Sequence, residues 1–241
     1  MVNSVIYNQL YTNKSIMKGG QNGTANKLFL FNGPHLLNLI YKRKEFLILV
    51  FANLIAQLGI TYYVMKKTVK NPIGFWPLFF IQIAIIYILV LVPMPPALKF
   101  IIFGIFSYTF GLVMSHLKDK FDEQIIDIAL QGALSIFGLM LSVGVALVGG
   151  GIHLGYKFGA FLFWALLALI IAKLVNMLGP QLSTTKKALS YVGLSLFSLF
   201  IIYDTNQILS RDYQGDFITA SMDYYLDILN LFTSLLGTSD S

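Results

Sequence analysis

Seven runs of about twenty mostly apolar residues, at 46–65, 73–92, 97–117, 125–148, 158–177, 188–209 and 217–236, limit what this chain can fold into. Hydrocarbon offers no partners to backbone N–H and C=O groups, so each run satisfies them internally as a helix. The 241 residues are 56% hydrophobic and only 12% charged, with a mean hydropathy of +0.72, far from the charged surface of a soluble domain this size. The expected class is all-α: a polytopic membrane protein built as a seven-helix bundle. Lys66-Lys67, Pro93-Met94-Pro95-Pro96, Lys118-Asp119-Lys120, Gly149-Gly150-Gly151, Gly179-Pro180 and residues 211–216 punctuate the runs. The loops are too short for a second domain. The expected layout is a polar, basic, cytosolic tail (1–45), a membrane domain (46–236) and a short carboxyl tail (237–241). The first run starts too late to be a cleavable signal. Small residues every fourth position, at Ser107, Gly111 and Ser115 and at Gly138, Ser142 and Ala146, predict close helix approach.

The net charge of +6 does not argue for nucleic acid, since six of the 17 basic residues lie in the tail, where they orient a membrane segment. No basic stripe interleaved with aromatics accompanies them. With no Cys there is no thiolate nucleophile, thiolate metal site or disulfide. His35, His116 and His153 lack ligand spacing, and no phosphate loop, nucleophile elbow or zinc helix is found. Neither an enzyme nor a resident cofactor is expected. Asn13-Lys14-Ser15 and Asn22-Gly23-Thr24 fit the glycosylation pattern, but a cytosolic tail never meets the transferase.

Function is expected in the last two runs, which contain Asp204, Asp223 and Asp227. An unpaired charge in mid-membrane costs roughly 2.5–3.5 kcal/mol on insertion scales, so these acids must be paired, protonated or wetted. Asp223 and Asp227 are four apart, and Asn230 and Ser234 continue the same polar stripe, so that face cannot look at lipid. A tight antiparallel connection brings Asp204 to comparable depth. Two carboxyls within hydrogen-bonding distance share one proton and titrate as a unit, and a cation can replace that proton. Asn230 and Gln207 are candidates to orient the acids, and Asp204 and Asp227 to line a Ca²⁺ path. The alternative is a structural one: hydrogen bonds to neighbouring helices, or ion pairs with Lys99 or Arg211. Asp127, near the start of the fourth run, reads as a water-facing acid at a helix N-terminus. The seventh run is either a full span or a re-entrant hairpin.

Ile201-Ile202-Tyr203-Asp204-Thr205-Asn206-Gln207-Ile208 and Tyr224-Tyr225-Leu226-Asp227-Ile228-Leu229-Asn230-Leu231-Phe232 closely resemble the paired signature of the transmembrane Bax inhibitor motif family. That family includes Bax inhibitor, Golgi anti-apoptotic and lifeguard types. Phe106-Ser107-Tyr108-Thr109-Phe110-Gly111 looks like its third-helix motif, less specifically. The resemblance covers residues 46–236. It implies seven helices, a pH-sensing aspartate pair at Asp204 and Asp227, and a Ca²⁺ leak draining intracellular stores through the Golgi or endoplasmic reticulum membrane. It also implies suppression of cell death, with apoptosis-regulating membrane proteins as partners. Two departures are visible. Lys99 stands where family members can carry an arginine latch, and a lysine lacks the planar fork. Asp223 occupies a position where the family has a small or weakly polar residue, so it supports the gate or lies along the ion path.

Two other readings stay open: a proton-coupled cation transporter using the same acids, and a non-conducting regulator of apoptosis acting by helix contacts. A retinal protein or receptor is set aside, since the seventh run holds neither a Schiff-base lysine nor an Asn-Pro motif.

Overall fold

The computed structural model describes residues 33–239 except 70, 72, 180–182 and 212. The amino-terminal residues 1–32, with both glycosylation patterns, and residues 240–241 of the carboxyl tail lie outside the described residues. Among the described residues every regular element is helical: α1 (Gly33–Lys42), α2 (Lys44–Lys67), α3 (Phe75–Leu91), α4 (Pro96–Ser115) with a 3₁₀ extension (His116–Asp119), α5 (Glu123–Gly149), α6 (Tyr156–Leu178), α7 (Ser183–Ser210) and α8 (Phe217–Ser239).

Each of the seven expected runs is a helix, α2 to α8, but the expected set of seven equivalent spans is corrected in two ways. Among the described residues five helices are long and apolar enough to cross a membrane: α2, α4 with its extension, α5, α6 and α7. At 17 residues α3 is shorter, about 26 Å at 1.5 Å per residue. α8 carries the two acids and Asn230 and lies mainly buried, so its environment is protein more than lipid. It is one unbroken helix, which removes the hairpin alternative for residues 217–239. The second correction is α1, inside the stretch read as a polar tail. Its Leu36 packs on Val148 and Leu209, and this tertiary apolar contact holds a helix of only ten residues.

α8 occupies the centre, in contact with α2, α4, α5 and α7, while α6 packs on α7 and α3 on α4. The α7–α8 turn is tight. Gly215 adopts a φ of 80° and Gln214 a φ of 52°, left-handed backbone that glycine takes without strain. α7 and α8 therefore run antiparallel as immediate neighbours.

Close approach is built from glycine, partly where the spacing indicated. Ser107, Gly111 and Ser115 are buried, and a Cβ on Gly111 would lie 2.7 Å from Val64 Cβ and 2.8 Å from the Thr61 carbonyl of α2. The second stripe is corrected: Gly138, Ser142 and Ala146 face away from the bundle. α5 instead meets α7 along Gly144, where a Cβ would lie 2.6 Å from Thr205 Cβ and 3.0 Å from the Ile202 carbonyl. Small residues recur on both faces of α5, so spacing alone cannot choose the packed one.

An acidic cleft between the last two helices

Asp204 comes from the last two turns of α7, and Asp223 and Asp227 from the first half of α8. The tight turn sets them opposite one another. Asp204 and Asp227 border the same cleft, with their carboxyls close enough to interact. A hydrogen bond between the two carboxyls would need one proton, because an ionised carboxylate only accepts. Asp227 is 5% exposed, and its Oδ2 has no hydrogen-bond partner. Asp204 and Asp223 are half-buried. All three border a cleft of about 360 Å³, whose wall also includes Tyr203, Arg211, Tyr213 and Asn230. Among the described residues no three His, Cys, Asp or Glu side chains form a group that could hold a metal ion. The acids line a cleft; they do not close into a cage.

The supporting residues differ from expectation. Gln207 borders the cleft, but its amide donates to the Leu154 carbonyl at 2.6 Å. Its neighbour Asn206 donates to the Ile152 carbonyl at 2.7 Å and accepts from the Leu154 N–H at 2.9 Å. Together they tie the α5–α6 loop to α7, where an orienting role for Gln207 on the acids was expected. Asn230 lines the cleft and donates to the Leu226 carbonyl of its own helix at 2.8 Å. Arg211 stands at the cleft without an ion pair to any of the three acids among the described residues.

The latch expected of Lys99 on Asp204 is found elsewhere. Lys99 Nζ lies 2.5 Å from Asp216 Oδ2 and 2.6 Å from Thr219 Oγ1. Asp216 also accepts from the Thr219 N–H at 3.0 Å, capping the start of α8. Burial alone would raise the Asp216 carboxyl, but the bonds from Lys99 and Thr219 outweigh it and hold the carboxyl below its usual range. The pair's contribution is therefore fully present above the unfolded value of about 3.9 and is lost as pH falls through the lower folded value. With Asp216 more than a third exposed, screening limits that contribution to about 1 kcal/mol or less. Lys99→Gln is expected to lower the melting temperature by about 2–4 °C at neutral pH. Repeating the melt at about pH 3 checks the sign, since the difference should shrink there.

Asp127 is also corrected. It bonds Lys66 of α2, Nζ to Oδ2 at 3.2 Å, with Glu123 nearby at 3.7 Å, so it joins two helices where a solvated helix-end acid was expected.

Three residues that the sequence does not single out as site residues shape the site. Tyr213, in the α7–α8 turn, reaches Asp223 Oδ2 at 3.5 Å. Burial first, then the charges of Asp223 and Asp204, push its phenol up, so it stays protonated and able to donate. Arg43, between α1 and α2, donates through Nη1 to the Ile208 carbonyl at 3.1 Å and to the Arg211 carbonyl, satisfying the end of α7. Tyr225 bonds Thr61 Oγ1 at 2.5 Å and packs against Phe103, Phe106 and Phe110 of α4 at centroid distances of 5.2, 5.9 and 6.3 Å. The aromatic motif of α4 thus seats α8. A legible signal existed for this seam: Asn53, Gln57 and Thr61 recur every fourth residue in an apolar run. Asn53 donates to Ser221 at 2.5 Å.

An all-α membrane protein whose central helix shares an acidic cleft with its neighbour is the class that fold and site define. A family model described as "Inhibitor of apoptosis-promoting Bax1" matches residues 41–238, and the chain belongs to this Bax inhibitor family. Among similar proteins, LIFEGUARD 1 of Arabidopsis thaliana is 31% identical over 131 residues, 54% of each chain. The Golgi anti-apoptotic protein of vaccinia virus (strain Lister) is 42% identical over 80 residues, 33% of each chain. Bax inhibitor 1 of Schizosaccharomyces pombe is 28% identical over 207 residues, covering 80% of this chain and 75% of that protein. The chain thus spans about half the length of the first of these relatives and a third of the second.

Proposed function

We propose that this protein is a pH-sensitive Ca²⁺ leak channel of an intracellular membrane, Golgi or endoplasmic reticulum, that restrains cell death and catalyses no reaction. The observation that supports this reading is that Asp204, Asp223 and Asp227 border one cleft inside the bundle, and we take Asp204 and Asp227 to share a proton there. In the closed arrangement the two acids hold one proton and keep α7 against α8. Loss of that proton leaves two anions face to face, and the strain is relieved by separating the helices or by admitting a cation. Ca²⁺ suits this site because it accepts carboxylate, carbonyl and water oxygens in flexible geometry. It passes as cargo, with Asp223 and Asn230 extending the polar lining and Tyr213 beside Asp223 at the turn. Here α2 to α8 act as seven membrane elements, with α3 short and α8 shielded by its neighbours, and the amino-terminal side is cytosolic. The relatives named anti-apoptotic support the cellular role, with apoptosis-regulating membrane proteins as partners and no nucleic acid.

The test is Ca²⁺ efflux from loaded proteoliposomes without a proton gradient or co-substrate. Efflux is expected to rise from mildly acidic to neutral pH. No efflux at any pH would sink the channel reading, and efflux only under an imposed proton gradient would replace it with a transporter.

A further inference from the structure

The amino-terminal joint presents a basic pocket with no role in the acidic cleft. α1 is two-faced. Leu36 is buried against α5 and α7, while Leu37 and Tyr41, four residues apart, are 68% and 69% exposed. The chain then reads Lys42-Arg43-Lys44 and enters α2, a helix long and apolar enough to cross a membrane, so this basic joint stands at the end of a candidate span. A pocket of about 390 Å³ opens there, lined by Lys42, Arg43, Phe46, Tyr213 and Gly215, with no carboxylate in its wall. Lys42 makes no ion pair among the described residues. Arg43 is fixed by its bonds to the Ile208 and Arg211 carbonyls, and Lys44 is occupied over the Tyr41 ring at 4.7 Å. An oriented guanidinium and an uncommitted ammonium beside exposed apolar side chains form a surface with two chemistries. The basic part suits a phosphate group, and the apolar part suits acyl chains.

We propose that this pocket binds one anionic phospholipid, its phosphate against Lys42 and Arg43 and its chains along Leu37 and Tyr41. Charge complementarity selects the occupant. A zwitterionic headgroup brings its own cation to a pocket that already holds two, and an apolar partner leaves both cations desolvated without compensation. Tyr213 lines both this pocket and the acidic cleft, so the lipid sits one side chain away from the proposed ion path.

The test is native mass spectrometry of the full chain in detergent with added dioleoylphosphatidic acid or dioleoylphosphatidylcholine. Their chains are identical and only the headgroup differs. The wild type is expected to retain one phosphatidic acid that phosphatidylcholine does not displace. Lys42→Gln should weaken retention about fivefold, the loss of one surface cation's attraction, and Lys42→Arg should restore it. Lys42 is exposed, so a melt matching the wild type separates lost binding from lost folding. Equal retention by wild type and Lys42→Gln, or equal competition by phosphatidylcholine, would overturn the site. Displacement by inorganic phosphate at the same concentration would overturn the lipid as its occupant.

Discussion

Asp227→Asn is expected to flatten the pH response of Ca²⁺ efflux while leaving the protein folded. The amide can still hydrogen-bond Asp204, but it cannot lose a proton in the accessible range, so the shared proton disappears as a variable. Because Asn also adds no buried charge, stability should change by no more than about 1–2 kcal/mol. Asp204→Asn should behave alike, since the proton belongs to the pair and to neither residue alone. Asp223→Asn is the informative contrast: Asp223 lies outside the proposed Asp204–Asp227 pair, so its loss should reduce flux while pH dependence persists. Measuring efflux against pH for all three variants decides the matter. An unchanged pH response in both Asp204→Asn and Asp227→Asn would remove the gate assignment and leave the acids as structural hydrogen-bond partners.

Gly144→Leu is expected to prevent recovery of folded protein. A Cβ at this position already falls 2.6 Å from Thr205 Cβ and 3.0 Å from a backbone oxygen of α7. A backbone atom cannot rotate away, so α5 and α7 would have to separate. Gly144→Ala should cost about 1–3 kcal/mol, as overpacking commonly does, and leucine more. The displacement would also reach the site, because Thr205 accepts from Tyr224 at 2.9 Å and adjoins Asp204 in the chain. Gly138→Leu is the control, with nothing within 4 Å of its Cβ. Size-exclusion profiles in detergent should show a sharp peak for Gly138→Leu and aggregate for Gly144→Leu. Similar profiles for both would contradict the assigned face of α5.

The contrast between these two glycines marks what the sequence made legible. Asp204 and Asp227 stand out as candidates because an acid in an apolar run has few inexpensive explanations, and the short turn between the runs sets α7 beside α8. Helix existence was equally clear from the lengths of the runs. Partners were not. Gln207 and Asn230 sit on the polar side as the spacing implied, yet their amides bond backbone, and a long side chain chooses its partner by reach that a helical wheel does not encode. Lys99 was placed near the site but meets Asp216, because it lies at the level of the turn, not of Asp204. Asp127 was read with its sequence neighbours, although Lys66, 61 positions away, decides its role. α1 is missed because ten residues are too few for a membrane span and the stretch reads as part of a polar, basic tail, although its apolar residues do keep a helical period.

The central place of α8 has a consequence for biosynthesis. Every element that surrounds it leaves the ribosome earlier, so the nascent bundle waits with an unfilled slot lined by Asn53, Gln57 and Thr61. Those amides and hydroxyls face whatever fills that slot until Ser221 and Tyr225 arrive. The arriving segment in turn brings two aspartates that hydrocarbon would reject. α8 is thereby expected to insert and assemble in a single event, received by protein and not by lipid.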